Sequence, residues 1–218
     1  MSLLARLTAL VRRPSSPGTD GGTDGAETPA RWLVIGLGNP GGRYEGTRHN
    51  VGYLVTDRLV ERSSADGLRG LPGTKATVAR VDIDGEAVLL VRSTTFMNLS
   101  GEAVAPLAAR HGISPDHVVV VHDELDLPAG RVKVKLGGNE NGHNGLKSVS
   151  AELGTRDYVR VRVGIGRPPA GTGVVEYVLT ALDDGTDWDA TAGTAADAVD
   201  IIVTRGLPAA QHEIHSRS

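Results

Sequence analysis

Residues 77–91 read TVARVDIDGEAVLLV, two apolar runs joined by Asp84-Gly85. An Asp-Gly pair between such runs is a two-residue hairpin signal, because both central positions of that turn need a positive φ. The antiparallel pair interrupts a chain that otherwise alternates buried strands with helices. Before it, Trp32 to Leu37 is a buried-strand run ended by Gly38, Asn39, Pro40, Gly41 and Gly42, and His49 to Ser63 carries Val51, Leu54, Val55, Leu59 and Val60 at helical spacing. After it, Ser100 is expected to cap a helix to Arg110, kinked at Pro106 and stopped by Gly112. Val118 to Val121 reads as a buried strand, Arg131 to Leu136 as an alternating strand, Gly145 to Leu153 as a helix and Tyr158 to Ile165 as a strand. Two further helices are expected near Val174 to Ala181 and Trp188 to Arg205. The pattern predicts an α/β fold: a single domain whose twisted mixed β-sheet is flanked by helices on both faces.

The 218 residues suit one such domain. Residues 1–31 read as a disordered extension, since residues 15–29 (SSPGTDGGTDGAETP) have no apolar periodicity to offset their ordering entropy. Residues 2–13 could form a short amphipathic helix. Their positive charges follow the apolar stretch and no small-residue cleavage site appears, so a signal peptide is not expected. The domain is expected over 32–206, with 207–218 as a tail. No apolar run approaches the roughly 20 residues of a bilayer-spanning helix. The chain has no cysteine, which removes disulfides, thiolate metal sites and thiol nucleophiles together. Its formal charge of −3 hides an asymmetry: residues 131–167 carry eight basic side chains against three acidic, and residues 168–218 carry two against eight. A basic stripe of this kind is either a solvated surface or a local field for phosphates, whose reach is about a Debye length, roughly 8–10 Å.

Gly36-Leu37-Gly38-Asn39-Pro40-Gly41 matches the dinucleotide fingerprint letter for letter. Its context argues against that reading. Gly42 and Gly46 follow where the phosphate-binding helix should start, and the acidic residue about 20 positions on would be Asp57, inside a helix. Four polar loops carry a different chemistry: the first with Asn39 and Thr47-Arg48-His49-Asn50; Thr95 to Gly101; His122 to Pro128; and Gly137 to Leu146, which opens a later helix. Strand ends in α/β sheets line the ligand crevice, so these groups can converge. A histidine held by a carboxylate is a general base near neutral pH, and asparagines orient a water, an ester carbonyl and a peptide backbone without competing for the proton. The set suits hydrolysis by an activated water. No GxSxG elbow supports a serine nucleophile, and a metal held by His122, Asp123, Asp126 and His143 lacks a recognised ligand spacing.

The blocks VIGLGNPGGRYEGTRHNVGY (34–53), TTFMNLSG (94–101), HDELDLPAG (122–130), GHNGLKS (142–148) and RVGIGRP (162–168) resemble those of bacterial-type peptidyl-tRNA hydrolases, in order and spacing. The resemblance implies a monomeric, cytoplasmic enzyme that cleaves the ester between a peptide and the 3′-terminal ribose of tRNA, recycling the tRNA. It implies no metal or cofactor and no DNA or membrane partner. It makes His49 the base that activates water, Asp123 the group that holds His49, and Asn39 the sensor of the blocked amino group. Asn98 and Asn144 would hold the peptide backbone and the water, and Tyr44 and Phe96 would line the groove near the 3′ end. Lys135 and Arg162 would grip the tRNA 5′-phosphate. Three departures stand out: Asn139-Glu140-Asn141 replaces a segment usually rich in glycine, residues 209–212 lack the usual asparagine-containing end, and the extension 1–31 has no counterpart. The rivals are a non-catalytic RNA-binding protein on the same scaffold, as some relatives are splicing partners, and a metal-dependent peptidase or amidase.

Overall fold

The computed structural model describes residues 29–217, so the expected disorder and helix before Pro29 lie outside the described residues. Seven strands form one sheet in the order β2-β3-β4-β1-β5-β7-β6. They are β1 (Trp32–Gly36), β2 (Arg69–Gly70), β3 (Ala76–Ile83), β4 (Glu86–Ser93), β5 (Val118–Glu124), β6 (Val132–Leu136) and β7 (Val159–Gly164). β4, β1, β5 and β7 run parallel, while β2, β3 and β6 are antiparallel to their neighbours. The sheet is therefore mixed, as expected. The hairpin turns at Asp84 (φ 50°) and Gly85 (φ 88°), with the Gly85 N–H donating to Asp82 Oδ1 at 2.8 Å.

The central strands are apolar without interruption because helices cover both faces. Trp32 and Val34 of β1, Val88 and Leu90 of β4, and Val119 and Val121 of β5 pack toward α1 (Val51–Arg62), α5 (Trp188–Arg205) and α6 (Leu207–Ser216). Their alternates Leu33, Ile35, Leu89, Val91, Val118 and Val120 pack toward α2 (Gly101–His111) and α3 (Asn144–Leu153). Residue-by-residue alternation thus sends one strand into two cores. A short α4 (Val174–Val178) completes the helices, none of which, among the described residues, is long and apolar enough to cross a membrane.

Three sequence expectations change. Ser100 does not cap α2: its Oγ donates to the Met97 carbonyl at 2.8 Å, and the Gly101 N–H is taken by Ser148 Oγ of α3 at 2.9 Å. Residues 207–216 are not a tail but helix α6, which buries Ala210 and Ile214. α6 covers the edge strand β6, where His215 Nε2 accepts the Val134 N–H at 3.0 Å, blunting an edge that would otherwise be open to pairing. At the other end, residues 30 and 31 join the domain through Ala30 N–H to His111 Nδ1 at 3.2 Å and Arg31 N–H to the Ala87 carbonyl at 2.8 Å.

Candidate active site

The parallel strands deliver β1 and β5 to the same edge, so Asn39 and His122-Asp123-Glu124 emerge side by side. α1 packs against that corner without side chains in between. A Cβ on Gly36 would lie 2.2 Å from the Gly52 carbonyl oxygen, and one on Gly52 would lie 2.5 Å from the Leu37 carbonyl oxygen. The two glycines bring the 3₁₀ turn Arg48–Asn50 at the start of α1 against the end of β5. His49 thereby reaches Asp123, with Nδ1 2.9 Å and 3.0 Å from the two carboxylate oxygens.

β6 runs antiparallel, so its end lies at the opposite edge, and the loop 137–143 returns over the sheet to the site. Two arginines hold that loop. Buried Arg160 donates to the carbonyls of Gly138 and Asn139, each at 2.7 Å, and Arg156 Nε donates to Glu140 at 2.6 Å. The loop replacing the expected glycine-rich segment is therefore anchored by side chains.

The loop ends in His143, which sequence reasoning took up only as a metal ligand. Its Nδ1 accepts the N–H groups of Gly145 and Leu146 at the start of α3, at 3.1 Å and 3.3 Å. That fixes the tautomer, so Nε2 carries the proton and donates it to Asp123 Oδ1 at 2.9 Å. Asp123, 4% exposed, thus stands between two imidazoles. Burial opposes its charge, but His143 and His49 outweigh burial and hold the carboxyl well below the usual carboxylate range. For His49, burial also opposes charge; the Asp123 charge and hydrogen bond prevail and raise the imidazole above its ordinary value. With Nδ1–H donated to Asp123, the basic nitrogen of neutral His49 is Nε2.

His122 is different. Its Nδ1–H donates to the Asp123 carbonyl at 2.7 Å, its Nε2 is buried without a partner among the described residues, and burial beside His143 pushes its pKa down to about 3. It is a neutral group at any physiological pH.

Asn39 is 8% exposed and held at three points. Its N–H donates to Asn50 Oδ1 at 2.8 Å, its carbonyl accepts Asn50 Nδ2 at 2.9 Å, and its Oδ1 accepts the Met97 N–H at 2.8 Å. The last bond settles the amide orientation and leaves Nδ2 as a donor.

Asn39, His49, Asn98, Asp123, His143 and Asn144 all line one cavity of about 610 Å³, with Val174, Val175 and Leu179 as an apolar wall. Val175 is 73% exposed there, an apolar surface open to whatever enters. Tyr44 and Phe96 stand outside that lining, edge to face with centroids 6.3 Å apart, and Phe96 is exposed. Lys135 and Arg162 also lie outside it, on β6 and β7. The sequence-derived residues thus form a cavity group, an aromatic pair and a cationic pair. His49, Asp123 and His143 are the one set of candidate metal ligands among the described residues, their donor atoms within 4.8 Å of one another. The His143 atom concerned bears the proton that its capping role forces on it, so a metal would have to displace that proton and the Asp123 hydrogen bond. The fit is poor. His122 and Asp126, proposed as metal ligands from the sequence, do not join the set.

A peptidyl-tRNA hydrolase family model matches residues 33–218. The chain belongs to the peptidyl-tRNA hydrolase family. It is 55% identical over 188 residues to peptidyl-tRNA hydrolase 2 of Corynebacterium glutamicum, covering 86% of this chain and 89% of that protein. It is 45% identical to peptidyl-tRNA hydrolase 2 of Corynebacterium jeikeium, covering 100% of this chain and 98% of the relative. Among solved structures it resembles the peptidyl-tRNA hydrolase of Acinetobacter baumannii, with a TM-score of 0.77 and 32% identity over 84% of this chain and 93% of that one. Membership of this family accords with the expected α/β fold.

Proposed function

We propose that the chain hydrolyses the ester joining a peptide to the 3′-terminal ribose of tRNA, with His49 as general base. The observation that carries this reading is Asp123 held between His49 Nδ1 and His143 Nε2 beside a 610 Å³ cavity. Asp123 keeps His49 Nε2 as the basic nitrogen and stabilises the imidazolium formed when a water gives up its proton to it. The hydroxide equivalent adds to the ester carbonyl, the tetrahedral intermediate expels the ribose 3′-oxygen, and His49 returns the proton to that oxygen. His143 is a positioning residue, orienting the carboxylate through Oδ1, the oxygen it shares with His49. Asn98 and Asn144 flank the cavity as contacts for the peptide backbone and the attacking water.

Asn39 supplies selectivity. Its Nδ2 is a donor by the argument above, so it suits the carbonyl of an N-blocked residue and repels the ammonium of an unblocked one, which has no acceptor to offer. Tyr44 and Phe96 are the contact for the 3′ end of the RNA, and Lys135 with Arg162 the clamp for its 5′-phosphate. The reading takes the chain to act as a cytoplasmic monomer without a metal or cofactor.

The test is the release of free tRNA from an N-acetylated aminoacyl-tRNA beside its unblocked counterpart. Cleavage of the blocked ester alone is expected, and Asn39→Asp, which replaces the donor by a carboxylate, should erase the preference. Equal cleavage of both esters by the unaltered protein would refute the role given to Asn39. Binding of tRNA with no cleavage would favour the RNA-binding alternative.

A further inference from the structure

Four cations share one face of the β6–β7 pair. Lys133 lies opposite Arg162 and Lys135 opposite Arg160, and alternation places all four on the same side, with Val132, Val134, Val159, Val161 and Val163 on the other. Arg160 is spent on the loop carbonyls and buried. Lys135 folds back so that its Nζ lies 2.7 Å from where a Gly138 Cβ would be. Burial, together with Arg162 and Arg160, lowers the Lys135 pKa, and Glu124 is the neighbour that acts the other way.

Glu124 ends β5 one residue after Asp123 and is 6% exposed. One carboxylate oxygen accepts Arg162 Nε at 2.9 Å and the other accepts the Asp126 N–H at 3.2 Å. Among the described residues, Glu124 is the side chain that bonds the Arg162 guanidinium. A guanidinium bonded through Nε has its plane fixed and keeps its two Nη groups, the edge that forks onto a phosphate. A carboxylate in a phosphate site would ordinarily repel the ligand. Here it is buried at the cavity wall and bonded on both oxygens, so it works through the arginine's orientation. Register places Arg162 beside His122 on β5, directly next to the residue that holds His49.

We propose that Glu124 is a positioning residue for the phosphate clamp: it sets the Arg162 fork beside Lys135 so that the pair takes the 5′-terminal phosphate of the tRNA. The inference rests on the clamp reading above. It also ties the clamp to the catalytic strand end, since the carboxylate that orients Arg162 holds the backbone just beyond Asp123.

The experiment compares two N-acetylated aminoacyl-tRNAs, one with its 5′-phosphate and one dephosphorylated. Each is hydrolysed by the full chain and by Glu124→Ala, Glu124→Gln, Arg162→Ala and the Glu124→Ala/Arg162→Ala double variant. The unaltered protein is expected to favour the phosphorylated substrate through KM. Glu124→Ala should raise KM for that substrate by roughly tenfold or more, the size expected for a hydrogen bond to a charged group, and leave little preference between the two. The double variant should be no worse than Arg162→Ala, because both substitutions remove one device. Glu124→Gln keeps a neutral acceptor of the same size and should fall between Glu124→Ala and the unaltered protein; it decides the matter if Glu124→Ala does not fold. A Glu124 variant that lowers kcat equally on both substrates and keeps the preference overturns the proposal, as does a double variant with additive losses. Should Arg162→Ala itself retain the preference, the clamp reading fails, and this inference with it.

Discussion

Replacing Asp123 by Asn removes the one negative charge shared by two imidazoles while nearly conserving volume. In the native site Oδ1 accepts from both His49 and His143, and Oδ2 accepts from His49. An amide offers a single acceptor oxygen. With that oxygen turned to His143, the amide NH2 faces His49 Nδ1 and draws the ring into the tautomer whose Nε2 carries the proton and cannot act as a base. A positioned base supplies about 10²–10⁴-fold in rate, so Asp123→Asn should lower kcat by at least about 10²-fold, or about 2.7 kcal/mol at 1.36 kcal/mol per decade. The pH profile carries a second, independent signature. The native His49 pKa lies above 6.5 because Asp123 outweighs burial. The base works unprotonated, so kcat/KM should rise with pH through an inflection above that value. Without the Asp123 charge, burial alone remains and the inflection should move below 6.5. The assay is tRNA release from N-acetylated aminoacyl-tRNA between pH 5 and 9, with circular dichroism to check the fold. Residual activity in Asp123→Asn with an unmoved inflection would refute the assignment of Asp123 as the partner of the base.

Two further predictions concern the scaffold. Gly36→Ala places a methyl 2.2 Å from the Gly52 carbonyl oxygen, so it should destabilise the domain by at least about 1–3 kcal/mol and weaken activity by prising α1 and His49 from β5, as read by urea denaturation and kcat. A native denaturation midpoint would show that α1 moves without cost. Buried His122 is neutral when folded, with its pKa near 3, whereas the unfolded chain protonates it near 6.5. The unfolded state therefore binds the extra proton between those values, and stability should fall as pH drops through that window by up to about 1.4 kcal/mol per unit. His122→Asn should flatten that dependence; an unchanged slope would remove His122 as its source.

Much of this site was legible because its chemistry lies in short blocks at turns. Asp84-Gly85 announced the hairpin through its positive-φ requirement, and α5 runs over Trp188–Arg205 as its pattern indicated. The His49–Asp123 pairing was given by resemblance, and the structure supplies its reason, two glycines that let a helix touch a strand end. His143 escaped as a positioning residue because its partner lies 20 residues away and its two roles, cap and donor, follow only from where α3 begins. α6 escaped because ten residues with two buried side chains and Pro208 in the first turn give a weak apolar period; the edge of β6 that they cover is a tertiary fact. Ser100 misled because a serine before a helix has two uses for its hydroxyl, and here it bonds backward to Met97. In the loop 137–143, where Asn139-Glu140-Asn141 sit between glycines, the anchors escaped because Arg156 and Arg160 come from a turn and a strand that follow it in the chain.

The most direct test of the account is tRNA release from N-acetylated aminoacyl-tRNA by the unaltered chain and by His49→Ala, each with and without EDTA. Rapid cleavage indifferent to the chelator, and lost by at least about 10²-fold in a folded His49→Ala, is the result predicted by water activation at His49. Full activity in His49→Ala, or activity abolished by EDTA, would contradict it.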